Sequence, residues 1–165
     1  MGIAIAQTPD APNGASNPGS ATWRLWIDGT AAPNPGPLGL GIVLESSGGE
    51  QHRMARREAY GCSNAAELKA LIQGLSWAQQ TGVRHIDIFS DSDFVVRHVG
   101  GEVRTRTAHL QALVAEARTL LLGFRIATLN WIPRHRNGEA DALARSAVGL
   151  APKPARRPVS KKRRR

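Results

Sequence analysis

Residues 22–60, TWRLWIDGTAAPNPGPLGLGIVLESSGGEQHRMARREAY, decide the fold. Thr22 to Asp28 (TWRLWID) alternates and is rich in aromatic residues, the pattern of a half-buried strand. Asp28-Gly29 and the turn-rich Pro33-Asn34-Pro35-Gly36-Pro37 are expected to end it. Leu40 to Glu45 reads as a second strand, and Gly48-Gly49 turns the chain into a third over about 51–60. Short turns between consecutive strands imply an antiparallel meander, because a parallel neighbour needs a crossover of roughly a dozen residues or more.

Downstream the period changes. Ala65, Leu68, Leu71, Ile72, Leu75 and Ala78 recur at helical spacing until Gly82 stops the run. His85 to Phe89 is a short buried strand, followed at once by a helix carrying Phe94, Val95 and Val99 that Gly100-Gly101 breaks. A longer helix is expected over about 107–122, a last strand over 125–132 closed by Pro133, and a final helix capped by Asn137 and reaching about Val148. The order βββαβααβα predicts an α/β domain, a five-stranded mixed sheet flanked by helices.

The chain has 165 residues, with 22 Lys and Arg against 13 Asp and Glu, a net charge of +9. That surplus predicts a polyanionic partner. It is unevenly spread, since residues 151–165 (APKPARRPVSKKRRR) hold eight of the basic residues, no acid and three prolines. Residues 1–21, rich in Ala, Pro, Asn, Gly and Ser, carry a single charge, Asp10. The expected division is a disordered segment over 1–21, a folded domain over 22–149 and a disordered basic tail over 150–165. No apolar run is long enough for a transmembrane helix, and the N-terminus lacks the basic start of a signal peptide, so no membrane partner is expected. Cys62, the single cysteine, excludes an internal disulfide and thiolate zinc sites, and a cytoplasmic monomer is the expectation.

Four acids stand where acids are costly. Asp28 ends an apolar strand and Asp91 follows another, so both project from strand carboxyl ends if those strands run parallel, where α/β sheets bind ligands. Glu67 begins the stripe Leu71, Leu75, Ala78, and Asp141 precedes Ala144 and Val148 on one helix face. Each has a structural explanation as well. Asn64 and Glu67 fit a capping box, Asp91 and Asp141 fit helix first turns, and Asp28-Gly29 fits a turn. Taken together, and with Arg145 the only cation beside them at helical spacing, the four acids call for metal ions. Oxygen-only ligands suit hard divalent ions such as Mg²⁺, and two of these can clamp the attacking and leaving oxygens of a phosphodiester displacement.

These segments, in order, resemble a type 1 ribonuclease H of the compact bacterial and archaeal form without the basic insertion. Asp28-Gly29-Thr30 with the 33–39 loop resembles the first aspartate motif, Ser63-Asn64-Ala65-Ala66-Glu67 the helix start with the catalytic Glu, Ser90-Asp91-Ser92 the second Asp, and Asn137-Gly138-Glu139-Ala140-Asp141 the last. The resemblance spans about Thr22 to Gly149. It implies endonucleolytic hydrolysis of the RNA strand of an RNA·DNA hybrid with Mg²⁺ or Mn²⁺, leaving 3′-hydroxyl and 5′-phosphate ends. Asp28, Glu67, Asp91 and Asp141 would be the metal ligands, Asn34 and Asn64 minor-groove contacts, and Ser63 a hydroxyl where many relatives have a second Asn. His135, in an unusually short loop, would assist proton transfer or product release, with Arg134 and Arg136 beside it on phosphates. Gly100-Gly101-Glu102 stands where other relatives carry the basic insertion, and the tail residues Lys161, Lys162, Arg163, Arg164 and Arg165 would tether nucleic acid without sequence preference. The alternatives are a non-cleaving nucleic-acid-binding module, or a DNA-cutting nuclease on the same fold. Trp23, Trp26, Trp77 and Trp131 are expected in or near the core.

Overall fold

The computed structural model describes residues 2–6, by their backbone, and 21–154. Its strands are Gly2–Ala6 (β1), Thr22–Ala31 (β2), Gly36–Glu45 (β3), Gln51–Gly61 (β4), His85–Ser90 (β5) and Ile126–Trp131 (β6). Its helices are Ser63–Gln80 (α1), Asp93–Val99 (α2), Ala108–Leu121 (α3) and Gly138–Ala147 (α4), with a 3-10 turn at Arg134–Arg136. From β2 onward this is the expected order. The sheet runs β1-β6-β5-β2-β3-β4; β2, β5 and β6 are mutually parallel and the meander β2-β3-β4 is antiparallel.

Three expectations are corrected here. β1 pairs antiparallel with β6, Gly2 opposite Asn130 and Ala6 opposite Ile126, so the N-terminal segment supplies a sixth, edge strand. The five expected strands form the rest of the sheet, and β1 satisfies backbone groups that β6 would otherwise leave open. Asp28-Gly29 does not turn the chain, because β2 continues to Ala31 with Gly29 opposite Leu40. Leu150, taken as the start of a free tail, is held instead: its N–H donates to the Arg145 carbonyl, and Arg145 Nε donates to the Ala151 carbonyl.

The core lies between the sheet and α1, α2 and α3. Leu25 and Ile27 of β2, Leu40 and Ile42 of β3, and Ile86 and Ile88 of β5 are fully or almost fully buried against Leu71 and Leu75 of α1. Small residues let the helices come close. Ala66, Ala70 and Gly74 form part of the buried face of α1, and a Cβ on Gly74 would already touch Leu25. On the opposite sheet face, α4 crosses β3 where Gly39 and Gly41 leave room, since a Cβ on either would fall 2.0 Å from a carbonyl oxygen of α4. β4 is an exposed edge. Arg53 and Arg56, three residues apart on this strand, lie on opposite faces, Arg53 pairing with Glu139 of α4 and Arg56 with Gln73 of α1. Trp131 departs from expectation: at 48% exposure it ends β6 beyond the core.

Candidate active site

β2 and β5 are parallel with Ile27 opposite Ser90, so Asp28, the next residue within β2, and Asp91, the first residue after β5, lie side by side. Ser90 is fully buried, and its hydroxyl accepts from the Ser92 N–H, while Ser92 in turn caps α2 by accepting from the Val95 N–H. Asp91 is therefore fixed in the tight link before the helix. The acid in the first turn of α2 is Asp93, which removes the helix-dipole explanation for Asp91.

The capping box also fails. α1 starts after Cys62 with no side-chain cap, and Glu67 reaches across to β2, where its Oε2 accepts from the Gly29 N–H at 3.1 Å. Gly29 makes this approach possible, because a Cβ there would overlap the Ala66–Glu67 peptide. Carboxylate oxygens of Asp28, Glu67 and Asp91 all come within 4.8 Å of one another.

Electrostatics sets this cluster apart from ordinary buried acids. Burial first, and then the charges of Asp91 and Asp141, push the Asp28 carboxyl up to about 7. Glu67 is raised well above its ordinary value by burial and by Asp28 and Asp91. Glu45 is buried to a similar degree but is answered by Arg24 and by Gln51 at 2.6 Å. Glu45 is a satisfied structural acid. Asp28 and Glu67 instead face further acids, a placement tolerable when a cation joins them.

Asp141 sits in the first turn of α4, as expected, and its charge reaches Asp28. Asn137 stands at the N-cap of that helix but does not cap it. Its buried amide donates to the Ile27 carbonyl at 2.9 Å and to Asp91 Oδ1 at 2.9 Å, while its backbone carbonyl accepts from the Asp141 N–H at 3.0 Å. One residue thus ties together the strand of Asp28, the Asp91 carboxylate and the helix of Asp141. Sequence reading assigned Asn137 only the capping role; the signal available was its place four residues before Asp141.

Two cations touch the acids from the rim. Arg134 Nε donates to Asp91 Oδ2 at 3.3 Å, and Lys153 Nζ lies 2.6 Å from Asp141 Oδ1. Arg136 does not join Arg134. It lines a polar cleft of about 310 Å³ with Arg24, Trp26, Glu45 and Glu139, on the α4 face of the sheet. His135 is exposed in the 3-10 turn, with no side-chain partner among the described residues. Asn34 and Ser63 hold each other, Asn34 Nδ2 donating to Ser63 Oγ at 3.1 Å and the Ser63 N–H donating to Asn34 Oδ1 at 3.0 Å. The half-buried Asn64 beside them has no side-chain partner among the described residues. Lys161, Lys162, Arg163, Arg164 and Arg165 lie outside the described residues.

Comparison with known proteins gives a consistent picture. Residues 27–147 match the family described as reverse transcriptase-like. The bifunctional protein Rv2228c of Mycobacterium tuberculosis is 33% identical over 126 residues, 75% of this chain and 35% of that protein. The chain thus spans about a third of the length of its mycobacterial relatives. Among solved structures, RNase H1 from the halophilic archaeon Halobacterium salinarum matches with a TM-score of 0.75 at 33% identity, covering 77% of this chain and 97% of that one. LC11-RNase H1 in complex with an RNA/DNA hybrid matches with a TM-score of 0.71 at 26% identity, covering 76% of this chain and 96% of that one.

Proposed function

The chain belongs to the type 1 ribonuclease H family, and from that membership we propose that it hydrolyses the RNA strand of RNA·DNA hybrids, leaving 3′-hydroxyl and 5′-phosphate ends. The observation that carries this reading is the convergence of Asp28, Glu67 and Asp91 oxygens within 4.8 Å, with Asp28 pushed up to about 7 by burial and by its fellow acids. An all-oxygen, mutually repelling donor set of this kind fits hard divalent ions, Mg²⁺ with Mn²⁺ as a substitute. Asp28, Glu67 and Asp91 would hold one ion, and Asp141 would complete the set for a second. Two such ions, when bound, supply positive charge at the attacking and leaving oxygens of an in-line phosphodiester displacement.

The remaining roles belong to the chain's own groups. The Asn34–Ser63 pair and the Asn64 amide form a polar ledge beside Glu67, suited to the minor groove, where the 2′-hydroxyl distinguishes RNA from DNA. Arg134, exposed beyond its contact with Asp91, is available to a backbone phosphate, and Arg136 would reach one only further out. His135, free to move its ring, would deliver a proton to the leaving oxygen or ease product release. The basic tail, Lys161 to Arg165 above all, grips phosphates without reading bases.

The direct test offers labelled RNA·DNA hybrid, duplex DNA and duplex RNA to the protein with Mg²⁺ or Mn²⁺, and repeats the assay with Asp91→Asn. Cleavage confined to the RNA strand of the hybrid and lost in Asp91→Asn is expected; cutting that survives the substitution, or a preference for duplex DNA, would overturn the proposal. For the tail, deleting residues 155–165 should raise KM and leave kcat near the full-length value. Every phosphate that the shortened chain no longer neutralises would reduce the magnitude of the log–log salt slope by about 0.9. An unchanged slope would remove the tail from substrate binding.

A further inference from the structure

Asp141 is the one acid of the four that has an ammonium group to itself, and the local chain is built to put it there. After α4 ends at Ala147, Gly149 takes φ +74°, and the Leu150 N–H donates to the Arg145 carbonyl at 2.9 Å. Arg145 Nε then donates to the Ala151 carbonyl at 2.8 Å. The chain has reversed and runs back along the helix it has just left. Pro152 and Pro154 flank Lys153, which limits the backbone on both sides and lowers the entropy lost in holding it. Lys153 Nζ arrives 2.6 Å from Asp141 Oδ1, with the Asp141 side chain 15% exposed. The same ammonium also lowers the Asp28 carboxyl, so its field reaches the centre of the cluster.

We propose that Lys153 is a positioning residue for Asp141: it occupies the Asp141 carboxylate as a built-in monovalent cation and must yield that oxygen before a second divalent ion can take it. The inference rests on the metal-dependent reading above. Its physical basis is competition for one ligand. Asp28, Glu67 and Asp91 can converge on a single ion without disturbing any contact with Lys153, whereas use of Asp141 Oδ1 requires the Nζ contact to open. A ligand whose competent state is only partly populated binds with apparent affinity reduced by that fraction. For this ion pair, with the Lys153 side chain 43% and the Asp141 side chain 15% exposed, the reduction expected is about threefold to tenfold. The first ion would feel Lys153 only through space and the second through direct displacement. The separation therefore sets the metal concentration at which the site passes from one ion to two.

The experiment is calorimetric titration of the full chain with Mn²⁺ in the absence of nucleic acid, on wild type, Lys153→Gln and Lys153→Arg. Lys153 is surface-placed, so the glutamine variant should keep its fold. Lys153→Gln should tighten the weaker binding step by about threefold to tenfold, with Lys153→Arg close to wild type. In an Asp141→Asn background, Lys153→Gln should have almost no effect on the binding that remains. Equal affinity of wild type and Lys153→Gln, or a shift that persists with Asp141→Asn, would overturn the proposal. A wild-type protein that binds no Mn²⁺ would instead overturn the metal-dependent reading itself, so the two failures are distinguishable.

Discussion

Asp28→Asn should abolish hybrid cleavage and, in metal-free buffer, make the protein more stable at pH 8. Both effects have one origin. Asp28 is 5% exposed, and burial, then Asp91 and then Asp141 raise its carboxyl to about 7 from an ordinary 3.8. A group with a higher pKa in the folded state binds its proton more tightly there than in the unfolded chain. Folding stability therefore falls as pH rises from about 4 to about 7, and the loss persists above that. A rise of about three in pKa corresponds to roughly 4 kcal/mol. A neutral amide of the same shape carries no such penalty. The melting temperature of Asp28→Asn should exceed that of wild type by several degrees at pH 8 and approach it near pH 4. Divalent metal should raise the wild-type melting temperature at pH 8 more than that of the variant, because binding to the folded state is itself stabilising. Losing a carboxylate at the centre of the cluster removes several kcal/mol of transition-state stabilisation, so kcat should fall by about three orders of magnitude or more. Near-normal cleavage by Asp28→Asn, or a lower melting temperature at pH 8, would contradict this account.

The same acids show what a sequence reveals and where it stops. The alternation of β2, the helical stripe of α1 and the short turns between β2, β3 and β4 are local signals, and the elements they predicted formed with ends shifted by a few residues. Asp28 and Asp91 were legible because a parallel β2–β5 pair sets them side by side, although β2 runs on three residues past Asp28. The capping box at Asn64 and Glu67 was equally legible and did not form, since Glu67 found a donor 38 residues away in Gly29. β1 was hidden for a related reason: a five-residue strand at a sheet edge owes its existence to β6, more than a hundred residues later. Lys153 escaped because helical spacing looks for cations three or four positions from an acid, whereas the reversal after Gly149 brings one in from twelve. Asn137 has the composition of a cap and does something else: its amide donates to Asp91 and to the Ile27 carbonyl, and its side chain makes no cap hydrogen bond to its own helix. In each case the deciding partner lay on another element.

Gly29→Ala should damage both the fold and the site with a single added methyl group. A Cβ there would stand 2.2 Å from the Ala66 carbonyl carbon, 2.3 Å from the Glu67 nitrogen and 2.5 Å from the Ala66 oxygen. Carbon atoms in contact prefer about 3.5 to 4.0 Å. All three neighbours are backbone, so no rotamer change relieves the overlap, and the start of α1 must lift from β2 by about an ångström. Overpacking of this kind costs about 3 kcal/mol, or roughly 10 °C in melting temperature for a domain of this size. Catalysis should suffer separately. The Gly29 N–H that holds Glu67 Oε2 moves with respect to the helix, and Glu67 withdraws from Asp28 and Asp91. A displacement of about 1 Å in a catalytic array costs on the order of a hundredfold, measured well below the melting temperature so that unfolding does not contribute. Gly48→Ala is the matched control, because a Cβ there would meet only Ser46 Oγ at 3.8 Å, and it should leave both quantities near wild type. Wild-type melting and kcat in Gly29→Ala would mean that α1 and β2 are not seated as closely as the geometry requires, and the placement of Glu67 would lose its explanation.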